Sequence, residues 1–121
     1  AARLVLKKRK YDRASPLLKD LHWLPIEKRI SFKVNTLIYK SLENSAPKYI
    51  SDLLVIHAPA RHLRSSDDKT KLNVPRIRTR AGGRSFSHFG PTVWNNLPRD
   101  LRESKSVNIL KKNLKTHLFA L

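Results

Sequence analysis

Ile26-Glu27-Lys28-Arg29-Ile30-Ser31-Phe32-Lys33-Val34-Asn35-Thr36-Leu37-Ile38-Tyr39-Lys40-Ser41-Leu42-Glu43 is the longest periodic stretch of the chain. Its apolar residues Ile26, Ile30, Val34, Leu37, Ile38 and Leu42 recur at steps of three and four, which predicts an amphipathic helix with one face on a core. Upstream, Ser15-Pro16 reads as an N-cap with proline at the first helical position. It opens a short helix bearing Leu17, Leu18 and Leu21 that Trp23-Leu24-Pro25 breaks. Residues 3 to 10 read as the last turns of a basic helix ending in Lys7-Lys8-Arg9-Lys10, where cations suit the dipole.

Downstream, Ala46-Pro47 starts a short helix with Tyr49, Ile50, Leu53 and Leu54, and His57-Ala58-Pro59 ends it. Residues 57 to 71 are polar and basic and read as an exposed loop. From Leu72 to Phe89 the pattern changes to period two around Gly82-Gly83, which predicts a β-hairpin carrying Arg76, Arg78 and Arg80 on one face. Gly90-Pro91 opens a turn of helix with Val93 and Trp94, stopped by Leu97-Pro98. Ser106 caps a last helix striped by Val107, Leu110, Leu114, Leu118 and Leu121. The predicted fold class is therefore mainly α, a small helical domain with one inserted basic β-hairpin. It forms one module over residues 1–121: a helical segment over residues 1–56, a basic loop and hairpin over 57–90, and C-terminal helices over 91–121.

A chain of 121 residues with 40% hydrophobic content can bury a single core. Its formal charge of +17, from 26 Lys and Arg against 9 Asp and Glu, points to a polyanionic partner, because such self-repulsion is most useful against phosphates and their releasable counterions. Residues 1 to 13 carry six basic residues against one acidic, and residues 57 to 90 carry eight against two. Residues 14 to 56, at six against four, look like scaffold. Residues 91 to 121 add six against two. With no cysteine there is neither a disulfide framework nor a thiolate metal site, and the expected location is intracellular, in the nucleus or a cytoplasmic ribonucleoprotein. No apolar run approaches a membrane span, and Leu4-Val5-Leu6 is too short for a signal-peptide core. The chain starts Ala1-Ala2 and contains no Met, which fits a fragment or Met removal before alanine.

Asp67-Asp68 is the only adjacent carboxylate pair. A two-metal centre needs carboxylates converging from structured elements, and this pair sits between Arg64 and Lys69 without a flanking apolar strand or a third acid, so loop solvation is the reading adopted. The histidines at positions 22, 57, 62, 88 and 117 form no helical metal pair, and Gly82-Gly83 lacks the pattern of a phosphate-cradling loop. No catalytic residue, metal site or cofactor is therefore expected. The guanidinium forks of Arg76, Arg78 and Arg80, backed by Arg84, are the best candidate contacts, since they grip phosphate bidentately. Lys7, Lys8, Arg9, Lys10, Arg61 and Arg64 complete the candidate nucleic-acid-binding set. The competing reading of the hairpin arginines is a strand edge protected by charge. Phe86 and Phe89 could stack on unpaired bases but fit the core better, and Trp23 and Trp94 read as packing anchors.

On these residues nearly the whole chain resembles the extreme C-terminal region of reverse transcriptases from LINE-type, non-long-terminal-repeat retrotransposons. The likeness rests on Ser15-Pro16-Leu17-Leu18-Lys19-Asp20-Leu21-His22-Trp23-Leu24-Pro25, Arg29-Ile30-Ser31-Phe32-Lys33 and Ala46-Pro47-Lys48-Tyr49-Ile50-Ser51-Asp52-Leu53-Leu54. It continues through Leu63-Arg64-Ser65-Ser66, Val74-Pro75-Arg76, Arg84-Ser85-Phe86-Ser87, Val93-Trp94-Asn95-Asn96-Leu97-Pro98 and a lysine-rich closing helix ending His117-Leu118-Phe119. Val93 and Ile109 stand where the family pattern has leucine and phenylalanine. The resemblance implies a region after the polymerase palm, thumb-like at its start. Such a region would hold template RNA or target DNA and partner the upstream polymerase domain, while the catalytic carboxylates lie upstream and outside this chain. Two other readings stand beside it: a structural module bracing the polymerase core, and a basic amphipathic module on an anionic membrane surface.

Overall fold

The computed structural model describes residues 1–61, Arg64 and 68–121; expectations placed on His62, Leu63, Ser65, Ser66 and Asp67 lie outside the described residues. Among the described residues the chain is mainly helical: α1 (Ala2–Val5), α2 (Ala14–Asp20), α3 (Ile26–Leu42), α4 (Lys48–Ser51), α5 (Arg80–Gly83), α6 (Phe86–Asn95), α7 (Arg99–Arg102) and α8 (Val107–Ala120). The long helix α3 is the spine, with α8 and α6 packed against it. Lys28 of its first turns bonds the Leu121 carbonyl, while Tyr39 in its last turns reaches the Ser104 carbonyl ahead of α8, so the two helices run antiparallel. Leu110, Leu114 and Leu118, the predicted stripe of α8, enter one core with Ile38, Tyr39, Trp94 and Leu72. Leu121, the last residue of that stripe, lies outside it and is exposed. Ser106 caps α8 as expected, its hydroxyl accepting from the Ile109 amide. No helix among the described residues is long and apolar enough to cross a membrane.

The core-facing side of α3 differs from the predicted one. Ile26 is 74% exposed and Ile30 49%, whereas Asn35, Thr36 and Ser41 are buried. The packing of α6 and α8 centres on Ile38 and Tyr39, so residues one helical turn away are drawn in whatever their polarity. Thr36 and Ser41 are accommodated because their hydroxyls donate back to the carbonyls of Phe32 (2.8 Å) and Leu37 (2.9 Å). Asn35 is fully buried, and neither end of its carboxamide is bonded among the described residues.

Three helices end in the same way, and none uses glycine. Lys7, His22 and Asn44 have φ of 50°, 52° and 55°, each one residue past the C-cap of α1, α2 and α3. In each case the following amide bonds back to the carbonyl five residues earlier, Lys8 to Arg3, Trp23 to Leu18 and Ser45 to Lys40, all at 2.8 Å. This is the Schellman closure, in which a left-handed residue lets the chain satisfy the last carbonyls. It corrects the N-terminal expectation: α1 stops at Val5, and Lys7 to Lys10 lie beyond its end rather than on it. The α2 helix likewise starts before Ser15, with Arg13 at the cap and no side-chain bond there.

The predicted β-hairpin is absent. Residues 73–79 carry no regular structure, α5 covers the two glycines, and α6 starts at Phe86 rather than at Gly90. A two-residue hairpin turn at Gly82-Gly83 requires positive φ, and no glycine in the chain adopts it. Thr79 instead acts as an N-cap, its hydroxyl accepting from the Gly82 amide at 3.1 Å. Gly90 and Pro91 sit buried inside α6, where a Cβ on Gly90 would stand 3.3 Å from Ile38 Cδ1, so glycine permits the close approach of α6 to α3. The single pairing of extended backbone among the described residues is an isolated antiparallel bridge between Ile56 and Leu72.

Candidate nucleic-acid interface

The four arginines expected on a hairpin face surround a small knuckle instead. Ile77 folds over α5: a Cβ placed on Gly83 would meet Ile77 Cδ1 at 3.0 Å, and one on Gly82 would meet Ile77 at 3.6 Å. Ser85 closes the far side by donating from its hydroxyl to the Gly82 carbonyl at 2.6 Å. Arg76, Arg78, Arg80 and Arg84 are all exposed around this turn. None of them makes an ion pair among the described residues, where the pairs found are Arg99 with Glu103 and Arg102 with Asp68. Four unpaired forks on one short exposed segment can each grip a phosphate.

Arg61 and Arg64 are exposed, and the described residues on either side of them are fastened to the rest of the fold by four devices. His57 and Asn73 donate backbone bonds to Lys71 (2.9 Å) and Val55 (2.7 Å). Asn95 accepts from the Leu72 amide at 2.9 Å and donates to the Leu72 carbonyl at 2.8 Å, while Trp94 Nε1 donates to the Thr70 carbonyl at 2.9 Å. Asp68 accepts from Thr70 and pairs with Arg102 Nη2 at 2.6 Å, with side chains only 13% and 5% exposed. Loop solvation is therefore the wrong account of Asp68. Burial alone would raise its carboxyl, but the Thr70 hydrogen bonds and the Arg102 guanidinium outweigh burial and hold it below its ordinary value.

Lys7, Lys8, Arg9 and Lys10 are exposed in the turn after α1. Asp12 shapes that turn, accepting from the Arg9 amide through Oδ2 and from Arg3 Nε through its carbonyl, each at 2.8 Å. Lys10 lies 5.8 Å from the centre of the exposed Tyr11 ring. No hydrogen bond or ion pair among the described residues links this turn, Arg61 and Arg64, and the knuckle to one another.

Phe86 packs on the core and Phe89 is half-buried, in keeping with packing roles rather than base stacking. Trp94 is fully buried, the anchor it was read as, and Trp23 is half-buried. Among the described residues no group of three or more His, Asp or Glu side chains gathers as metal ligands would. The clamp on the loop was missed by sequence reasoning: Asp68 and Arg102 are 34 residues apart and leave no local pattern. No family model, curated protein or solved structure matches the chain.

Proposed function

We propose that the chain is a nucleic-acid-binding module, the C-terminal region of a LINE-type retrotransposon reverse transcriptase. It grips template RNA or target DNA through phosphate contacts and has no catalytic residues of its own. The observation that carries this reading is a formal charge of +17 whose knuckle arginines, Arg76, Arg78, Arg80 and Arg84, are exposed and make no ion pair among the described residues. Neutralised phosphates release counterions, so binding should fall steeply with salt. Arg61, Arg64 and the Lys7 to Lys10 turn add contacts outside the knuckle, and the site of action is the nucleus or a cytoplasmic ribonucleoprotein.

The test is fluorescence anisotropy against a single-stranded RNA and a matched DNA duplex across a salt series. Replacing Arg76, Arg78 and Arg80 by alanine should lower the log-log salt slope by about three units if each contacts one phosphate. An unchanged slope would remove the knuckle from the site, and no binding at physiological salt would remove the proposal.

A second reading, a module bracing the upstream polymerase domain, rests on the exposed apolar residues of and after α4, where Tyr49 is 72% exposed and Leu53, Val55 and Ile56 are about half exposed or more. It predicts that the chain gains thermal stability when that domain is added, and a high, cooperative melt of the chain alone would count against it.

A further inference from the structure

A trough runs along the side of α3 that α6 and α8 leave open. Three open hollows of about 290, 590 and 410 Å3 adjoin one another: the first two share Trp23, Leu24 and Arg29, and the last two share Phe32 and Lys33. Ile26, Arg29, Lys33, Leu37 and Lys40 line it from α3 at steps of three and four, one continuous stripe of that helix. Lys111 and Lys115, one turn apart, supply the facing wall from α8. From Ile26 to Lys40 the stripe extends about 21 Å at 1.5 Å per residue.

Chemically the trough is sharply divided. Its floor is apolar, built on Leu24, Trp23, Phe32 and Leu37, while its rim carries cations from α3 and α8 and, among the described residues, no carboxylate. A separate hollow beside Tyr39 and Trp94 is lined by Glu43 and Glu103 as well as Lys69 and Arg102, so the carboxylate-free lining sets the trough apart from it. An apolar floor between two helices takes the apolar face of a third helix, and the rim selects the charge of its flanks.

We propose that this trough is a docking site for an acidic amphipathic helix of a partner protein, about fourteen residues long, with apolar residues on one face and Asp or Glu beside them. A second copy of this chain does not fit, because α8 contains no acidic residue and α3 contains only Glu27. A single nucleic-acid strand fits less well. Among the described residues the trough offers it ring faces from Trp23 and Phe32, both half-buried, and from His22 at one end, while most of the remaining floor is aliphatic. The site is independent of the basic knuckle and of the nucleic-acid reading.

The test uses the full chain and a labelled fourteen-residue peptide with leucines at positions i, i+3, i+7 and i+10 and glutamates between them. Its scrambled isomer lacks the apolar stripe. The striped peptide should bind and the scrambled one should not. Lys33→Glu with Lys115→Glu, both exposed, should weaken binding by about tenfold, whereas Lys105→Glu with Lys112→Glu, an equal charge change outside the trough, should leave it unchanged. Equal binding of the two peptides, or equal loss in both double variants, would reduce the effect to general attraction by a basic protein and overturn the proposal. Displacement of the peptide by a fourteen-nucleotide single-stranded RNA would overturn it too, by assigning the trough to nucleic acid.

Discussion

Asn95 holds Leu72 by both of its backbone polar groups, its carboxamide accepting from the amide and donating to the carbonyl as a paired strand would. One side chain thereby substitutes for a neighbouring β-strand and seats Leu72, only 2% exposed, in the core. Asn95→Asp keeps the acceptor and loses the donor; Asn95→Leu loses both and leaves two backbone groups unpaired. We expect the leucine variant to cost roughly 2–4 kcal/mol and the aspartate variant a large share of that. Urea unfolding checks this, with the midpoint falling while the slope stays constant.

The Asp68–Arg102 pair should make the protein acid-sensitive. The folded Asp68 carboxyl lies below its ordinary value of 3.8, so its contribution is complete above the unfolded value and is lost as pH falls through the folded one. Thermal melts below about pH 4 should therefore drop more steeply for the wild type than for Asp68→Asn. At neutral pH Asp68→Asn should cost about 3–5 kcal/mol, since it strands a buried guanidinium whose Nε and Nη1 already lack partners. Exchanging both residues for leucine and methionine should recover most of that loss.

The periodic helices α3 and α8 were legible in the sequence because an apolar stripe and a serine cap are local signals. The ends of α1, α2 and α3 were not, since a glycine usually marks a left-handed cap and here Lys7, His22 and Asn44 occupy it. The hairpin failed for a related reason. Alternation between Val74 and Arg80 fits a strand only if some neighbour pairs with it, and the glycines that should have turned the chain fold into α5 against Ile77. Of the site, the exposure of the basic residues followed from charge alone, while the clamp through Asp68, Thr70, Leu72 and Asn95 depends on contacts between distant segments. The trough was hidden because Arg29, Lys33 and Lys40 lie in the stretch whose charge is nearly balanced overall, and only the helix brings them to one side.

Asn35 stands out as a buried amide with both ends unbonded in the middle of α3. An apolar residue of similar volume removes the desolvation cost without opening a cavity. Asn35→Leu should therefore raise stability by about 1–3 kcal/mol, an increase readable in a denaturant melt. A loss of stability would mean that the carboxamide is satisfied in solution.

Tyr39 predicts the alkaline limit. Its hydroxyl lies 2.7 Å from both Glu43 Oε1 and the Ser104 carbonyl, which share its one proton. Burial first, then the hydrogen bond and charge of Glu43, push its pKa from 10.0 to about 12. The folded protein keeps this proton while the unfolded chain gives it up, so the contribution is full below pH 10 and is lost by about pH 12. Over that window the wild type should lose stability that Tyr39→Phe does not lose. Urea melts at pH 9 and above compare the two slopes.

Lys7 offers a way to separate folding from binding at one position. An L-residue in the left-handed region costs about 1–2 kcal/mol, and glycine relieves it at some entropic expense. Since the Lys7 side chain is exposed and has no ion pair among the described residues, Lys7→Gly should stabilise the chain by about 1 kcal/mol. If Lys7 contacts a phosphate, the same variant should lower the salt slope of nucleic-acid binding by about one unit. A more stable protein that binds less strongly would place Lys7 in the interface. Higher stability with an unchanged slope would leave it a helix cap alone and shift the N-terminal contacts to Lys8, Arg9 and Lys10.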